Sequence, residues 1–150
     1  MAPMLTNRRA RHDYEVLETF EAGLVLTGSE VKSLRAGGGS IAEAYARVDH
    51  GEVWLEGANV PTYAEASYNN HEPLRRRKLL LHRREIAELR KGLERRGLTV
   101  VPLKLFFDDR GRAKLLVALA RGRKKHDKRA AVAERDARRE MDRALKGASR

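Results

Sequence analysis

The chain has no cysteine among its 150 residues. That excludes disulfides, thiolate catalysis and cysteine-ligated metal, and it suits a reducing cytoplasm. Aromatic side chains are scarce, with a single tryptophan, so any core must be mainly aliphatic. No apolar run approaches the ~20 residues of a membrane span, and membrane is not an expected partner. The opening residues, MAPMLTNRRARHDY, put no apolar stretch behind their charges, so no signal peptide is expected. The five histidines (His12, His50, His71, His82, His126) show no close helical pairing, and no metal centre is expected. Gly37–Gly39 lacks the Lys and Ser/Thr that a phosphate loop needs and follows a helix instead of opening one; it reads as a loop. Asp108-Asp109 runs directly into Arg110-Gly111, which is turn chemistry. No serine sits in a nucleophile-elbow pattern. An enzyme, a cofactor and a small-molecule substrate are therefore not expected.

What the chain has is positive charge. Its formal net charge is +11 and its pI is near 10.4. Residues Arg121–Arg150 hold twelve Lys/Arg against five Asp/Glu, a net +7, with no Phe, Tyr, Trp or Ile. Such a segment gains little by collapsing in water. A phosphate backbone is the partner that this charge fits best. Ala130, Ala133, Ala137, Met141 and Ala144 fall at helical spacing. An isolated helix of this length is marginal, so the tail is expected to be disordered when free and helical on an RNA scaffold. The expected division is a flexible start over 1–11, a barrel over 12–120 and a basic tail over 121–150.

From His12 to Ala120 the pattern is mostly strand-like. His12–Glu21 alternates, placing Tyr14, Val16, Glu18 and Phe20 on one face. Ala22-Gly23 reads as a hairpin turn into Leu24–Thr27. Ser29 is expected to cap a helix over Glu30–Arg35, with Glu30 complementing its dipole. Ala44–Val48 and Val53–Glu56 flank the turn Asp49–Glu52. Asn59–Tyr63 reads as an edge strand, and Ala64–Arg77, polar and irregular, as a basic surface loop. Ile86, Leu89 and Leu93 mark a helix over Arg83–Arg96 with Gly97 as its cap. Leu98–Phe107 and Ala113–Ala120 form a hairpin over Asp108–Gly111. Six or seven strands with adjacent hairpins predict a mainly β fold: a small closed antiparallel barrel with two or three short helices.

Five stretches then carry a resemblance: NRRARHDYEVLETFEAG (Asn7–Gly23), LTGSEVKSLRAG (Leu26–Gly37), RKLLLHRREI (Arg77–Ile86), GLTVVPLKLFF (Gly97–Phe107) and LARGRKKHDKR (Leu119–Arg129). In this order and spacing the chain resembles the SmpB family, the bacterial SsrA-binding proteins. The resemblance implies an OB-like barrel that binds the tRNA-like domain of tmRNA. It implies delivery of alanyl-tmRNA, with elongation factor Tu, to 70S ribosomes stalled on messages lacking a stop codon. The tail is then expected in the decoding centre and the empty mRNA channel.

The resemblance also carries residues. His12 and Glu21, then Lys78, Leu80 and His82, then Lys114, Arg123 and Lys124 match positions facing the tRNA-like domain. Glu21 is suited to accept hydrogen bonds from a base edge; read on their own residues, Glu21 is equally a turn residue and Leu80 equally core. Asp127, Lys128 and Arg129 match a tail motif needed for tagging. Arg135, Arg138, Arg139 and Arg143 are expected to hold the tail on ribosomal RNA, and His126 to stack on or bond to its bases. The competing readings are a general RNA chaperone, which would bind many RNAs alike, and an RNA-processing enzyme.

Overall fold

In the computed structural model, which describes residues 4–63, 70–95 and 97–123, a single antiparallel sheet closes on itself. Its strands are β1 (Leu5–Thr6), β2 (Tyr14–Leu24), β3 (Tyr45–Asp49), β4 (Glu52–Glu56), β5 (Arg77–Leu80), β6 (Leu98–Phe107) and β7 (Ala113–Gly122). The order is β1-β6-β3-β4-β5-β2-β7, and β7 pairs back onto β6 to complete the ring. β1 lies beside the far end of β6, Leu5 against Leu105. Closure gives the long strands partners on both sides, which removes the edges that otherwise invite aggregation. Three helices accompany the sheet: α1 (Ala10–Asp13), α2 (Gly28–Arg35) and α3 (Arg83–Glu94). The mainly β, barrel-like architecture expected from strand count and hairpin spacing is the one observed.

Local chemistry explains the turns. His50 and Gly51 both take positive φ (51° and 76°), the requirement of a two-residue primed hairpin turn between β3 and β4. Between β6 and β7, Asp108 Oδ1 accepts from the amides of Arg110 (3.0 Å) and Arg112 (2.8 Å). Gly111 supplies the left-handed residue there. These amide bonds and the Arg112 guanidinium hold the Asp108 carboxyl below its ordinary value.

Two β-bulges set which face is which. β2 shifts register between Val16 and Glu18, and β6 between Pro102 and Lys104. An extra residue reverses the alternation beyond it. Tyr14 and Val16 therefore pack on a second cluster with Ala10, Val101, Leu103, Ala118 and Ala120. Phe20, Ala22 and Leu24 enter the main core with Leu55, Leu79, Leu89, Leu115 and Val117. The expectation that Tyr14, Val16, Glu18 and Phe20 share one face fails at the bulge. α3 closes the barrel with the fully buried Leu89 and with Gly92, which lies against Leu119.

Several expectations are corrected. β2 runs straight through Ala22-Gly23, so no hairpin forms there; Gly23 pairs with Leu80 and Lys114 instead. Thr27, not Ser29, caps α2, in a reciprocal capping box with Glu30. Asn59–Tyr63 makes only an isolated bridge, Asn59 with Ser40. α3 ends at Glu94, and Gly97 takes its positive φ in the turn into β6. His12 lies in α1, outside the strand predicted to begin there. Of residues 1–11, expected as a flexible start, Leu5 and Thr6 pair with β6, and Asn7 and Ala10 are buried.

Candidate nucleic-acid interface

One groove, about 620 Å³, opens where β7, β2 and β5 lie side by side next to α2 and the start of α3. Its middle row reads Lys114–Gly23–Leu80 across three strands. Gly23 keeps that row shallow: a Cβ there would meet the Leu80 Cβ at 3.2 Å. Leu80 faces outward and is 53% exposed, so it is not core. Val25, Leu26 and Val31 extend the apolar wall, and Glu21, His82, Glu85, Arg112 and Lys114 provide polar groups. The groove therefore brings together Glu21, the Leu80–His82 segment and Lys114, three stretches far apart in sequence.

Lys78 shares the outer face of β5 with Leu80 but sits beyond the groove. It lies opposite Trp54 and pairs with Glu52 at 3.0 Å. Next to it, the Arg76 guanidinium stacks over the Trp54 ring at 4.1 Å.

His12 and Arg123 belong to another place. His12 Nδ1 lies 2.9 Å from Asp13 Oδ1, and the Arg123 amide donates to the Asp13 carbonyl at 2.9 Å. Tyr14, paired with Gly122, and Gly23, paired with Lys114, are nine residue steps apart along β2. At about 3.3 Å per residue that is up to about 30 Å of strand. The described chain thus ends beside α1, at the opposite end of β2 and β7 from the groove. Lys124, His126, Asp127, Lys128, Arg129, Arg135, Arg138, Arg139 and Arg143 lie outside the described residues.

The groove is braced from below by a network that the sequence pattern does not reveal. Arg77, expected on a surface loop, is fully buried, as is Glu30. Arg77 Nε donates to Glu30 Oε2, while its terminal nitrogens donate to the carbonyls of Ala58 (2.9 Å) and Pro73 (3.0 Å). Arg75 donates to both Glu30 oxygens, and the Thr27 amide to Oε1 at 2.8 Å. Burial pushes the Glu30 carboxyl up, but the bonds from Arg75, the Thr27 amide and Arg77 outweigh it and leave it below its ordinary value. Burial lowers Arg77, and Glu30 offsets part of that. Beside them, Ser29 Oγ and His71 Nδ1 lie 2.8 Å apart, and His71 Nε2 lies 2.8 Å from the Val60 carbonyl. The network ties α2, which supplies Val31, to β5, which supplies Leu80. The available signal was the position of Glu30 three residues after Thr27, the capping-box spacing; nothing local announced its second role.

Among the described residues no cluster of His, Asp and Glu is arranged to hold a metal ion. The groove offers an apolar wall for a base, an acceptor in Glu21 and cations for phosphate. Such an arrangement can take an unstacked nucleotide.

The family model described as SmpB protein matches residues 4–147. The chain belongs to the SmpB family. Relatives named SsrA-binding protein include one from Beijerinckia indica subsp. indica, 60% identical over 141 residues, covering 93% of this chain and 89% of that protein. Another, from Deinococcus radiodurans, is 58% identical over 142 residues, covering 94% and 98%. A solved SmpB-type chain, from work described as "tmRNA-SmpB: a journey to the center of the bacterial ribosome", superposes with a TM-score of 0.71 at 52% identity. It covers 87% of this chain and 95% of its own. As an SmpB-family member the chain is an RNA-binding protein and not an enzyme.

Proposed function

We propose that this protein is the RNA-binding adaptor of trans-translation, gripping the tRNA-like domain of tmRNA with its barrel and reading the ribosome with its tail. The relatives' name, SsrA-binding protein, and the setting of the solved chain, tmRNA with SmpB at the ribosome, support the partners. The observation that carries the reading is the groove itself. Glu21, Leu80, His82 and Lys114, named from three separated stretches of the sequence, line one cleft. Glu21 accepts from a base edge, Leu80 and Val25 pack on the base, and Lys114 neutralises phosphate.

The second job falls to the tail. Arg123, the last described residue before it, lies beside Asp13, at the far end of β2 and β7 from the groove. A basic helix enters a message channel only when no message fills it, which distinguishes a stalled ribosome from a translating one. Asp127, Lys128 and Arg129 engage the decoding centre, while Arg135, Arg138, Arg139 and Arg143 follow the ribosomal RNA phosphates and His126 contacts its bases. Elongation factor Tu joins through the alanyl-tmRNA complex. Lys78, His12, Arg123 and Lys124 supply flanking RNA contacts.

The deciding experiment compares binding of a tRNA-like-domain transcript with binding of an ordinary hairpin of equal length. The adaptor reading expects strong preference for the first. Equal affinity for both would instead identify a general RNA chaperone.

A further inference from the structure

We infer that Arg35 and Arg110, at the corner where α2 meets the β6–β7 turn, form a phosphate-binding rim that holds the phosphodiester of the nucleotide whose base lies against Leu80. This rests on the groove being an RNA site, and it adds two residues to that site.

The groove is electrically lopsided. Glu21 and Glu85 contribute carboxylates toward the β2 and α3 sides, while Gly111, Arg112 and Lys114 line the side built by the β6–β7 turn. A bound nucleotide carries both a base with donors and an anionic backbone. Its base edge suits the carboxylate Glu21, and its phosphate is repelled from there. The backbone must leave toward the turn.

Cations stand ready at that exit. Arg35 lies in the last turn of α2, and its guanidinium stacks over the Phe107 ring at 4.7 Å. Its Nη2 lies 3.7 Å from where a Cβ on Gly111 would be, so it reaches the groove's rim. Among the described residues no carboxylate pairs with Arg35 or with the Arg110 side chain. The nearby Asp108 carboxylate is already occupied by the Arg110 and Arg112 amides and by Arg112 Nε at 2.9 Å. Asp109 is the one remaining carboxylate of the turn, against Arg110 beside it in the chain and Arg35 and Lys114 at the rim. Gly111, with no side chain and a φ of 75°, leaves the approach open. Stacking on Phe107 fixes a side chain that would otherwise lose much rotamer freedom on binding, so Arg35 is held ready for a planar, two-point contact with phosphate oxygens.

The test uses the full-length protein and a tRNA-like-domain transcript, with affinity measured across a salt series. Arg35→Gln/Arg110→Gln removes both charges; Arg35→Lys/Arg110→Lys keeps them. Both variants lose the planar guanidinium, so the comparison isolates charge from packing on Phe107, and thermal midpoints monitor folding. The Gln pair is expected to bind about tenfold more weakly at physiological salt. Its slope of log affinity against log salt should be shallower by about 0.7–0.9 for each phosphate no longer neutralised, whereas the Lys pair should keep the wild-type slope and lie between the Gln pair and wild type in affinity, because an ammonium keeps the charge but not the planar two-point contact. Equal slopes and affinities for the Gln and Lys pairs would overturn the rim while leaving the groove reading intact. A wild-type chain that does not bind the transcript would overturn both.

Discussion

Leu80 illustrates how one residue's exposure separates stability from function. At 53% exposed it has little burial to lose, so Leu80→Ala is expected to shift the thermal midpoint hardly at all. If a base packs there, RNA affinity falls by about 1–2 kcal/mol, roughly five- to thirtyfold, in a filter-binding or anisotropy titration. Unchanged affinity would remove Leu80 from the interface. Gly92 is the converse case. A Cβ at this position would run into the Leu119 side chain, with Cδ1 at 2.8 Å. Gly92→Ala is expected to cost about 1–3 kcal/mol in denaturant unfolding, because α3 must lift from the barrel or Leu119 must leave its rotamer. Gly23 is visible in the sequence and still misleads. A glycine between apolar residues signals a turn, whereas here it marks the place where β2 passes close under Leu80.

At the scale of elements, the Glu30–Arg77 pair sets how α2 and β5 frame the groove. Removing one partner of a buried pair strands the other charge. Glu30→Ala is therefore expected to cost about 3–5 kcal/mol in chemical denaturation, where an ordinary capping loss would be about 1. The pair also gives a pH signature. The folded Glu30 carboxyl lies below its ordinary value of 4.5. Its contribution is thus full above that value and is lost as pH falls through the folded one. Glu18 runs the other way: burial and the adjacent Glu88 of α3 raise it. Its small contribution is present at low pH and fades as pH rises through the folded value. Denaturation midpoints from pH 3 to 7 should rise for wild type, and the rise should be smaller in Glu30→Gln. Parallel curves would show that Glu30 does not govern acid stability. None of this was legible locally. Arg75, Arg76 and Arg77 look alike as sequence, yet Arg75 pairs with Glu30, Arg76 stacks on Trp54, and Arg77 is buried.

For the whole molecule, the expected behaviour is a separation of two activities. Ending the chain after Arg123 keeps every residue of the groove and the hydrogen bond from Arg123 to Asp13. Affinity for the tRNA-like domain should remain within a few-fold in the same titration, while tagging on stalled ribosomes collapses in a reconstituted translation assay. A large loss of RNA affinity on truncation would contradict the division, as would full tagging. Charge makes the same point through salt. More than half of the +11 lies in the tail, so the truncated chain should show a weaker salt dependence on nonspecific RNA than the full chain.

The sequence alone determined the fold class, through hairpin turns whose chemistry is local: His50-Gly51 and Asp108–Gly111 needed no distant partner to be recognised. It determined the helix over Ile86, Leu89 and Leu93, because a 3.6-residue period survives any tertiary setting. It also determined the basic tail, which is composition, and the family, which is spacing. Only the tertiary structure decided which candidate residues meet. Strand register joins Gly23 to Leu80 on one side and to Lys114 on the other, and a single extra residue near Leu17 puts Val16 against the second cluster and Phe20 in the main core. Register and burial depend on contacts between segments tens of residues apart, and no local pattern holds that information.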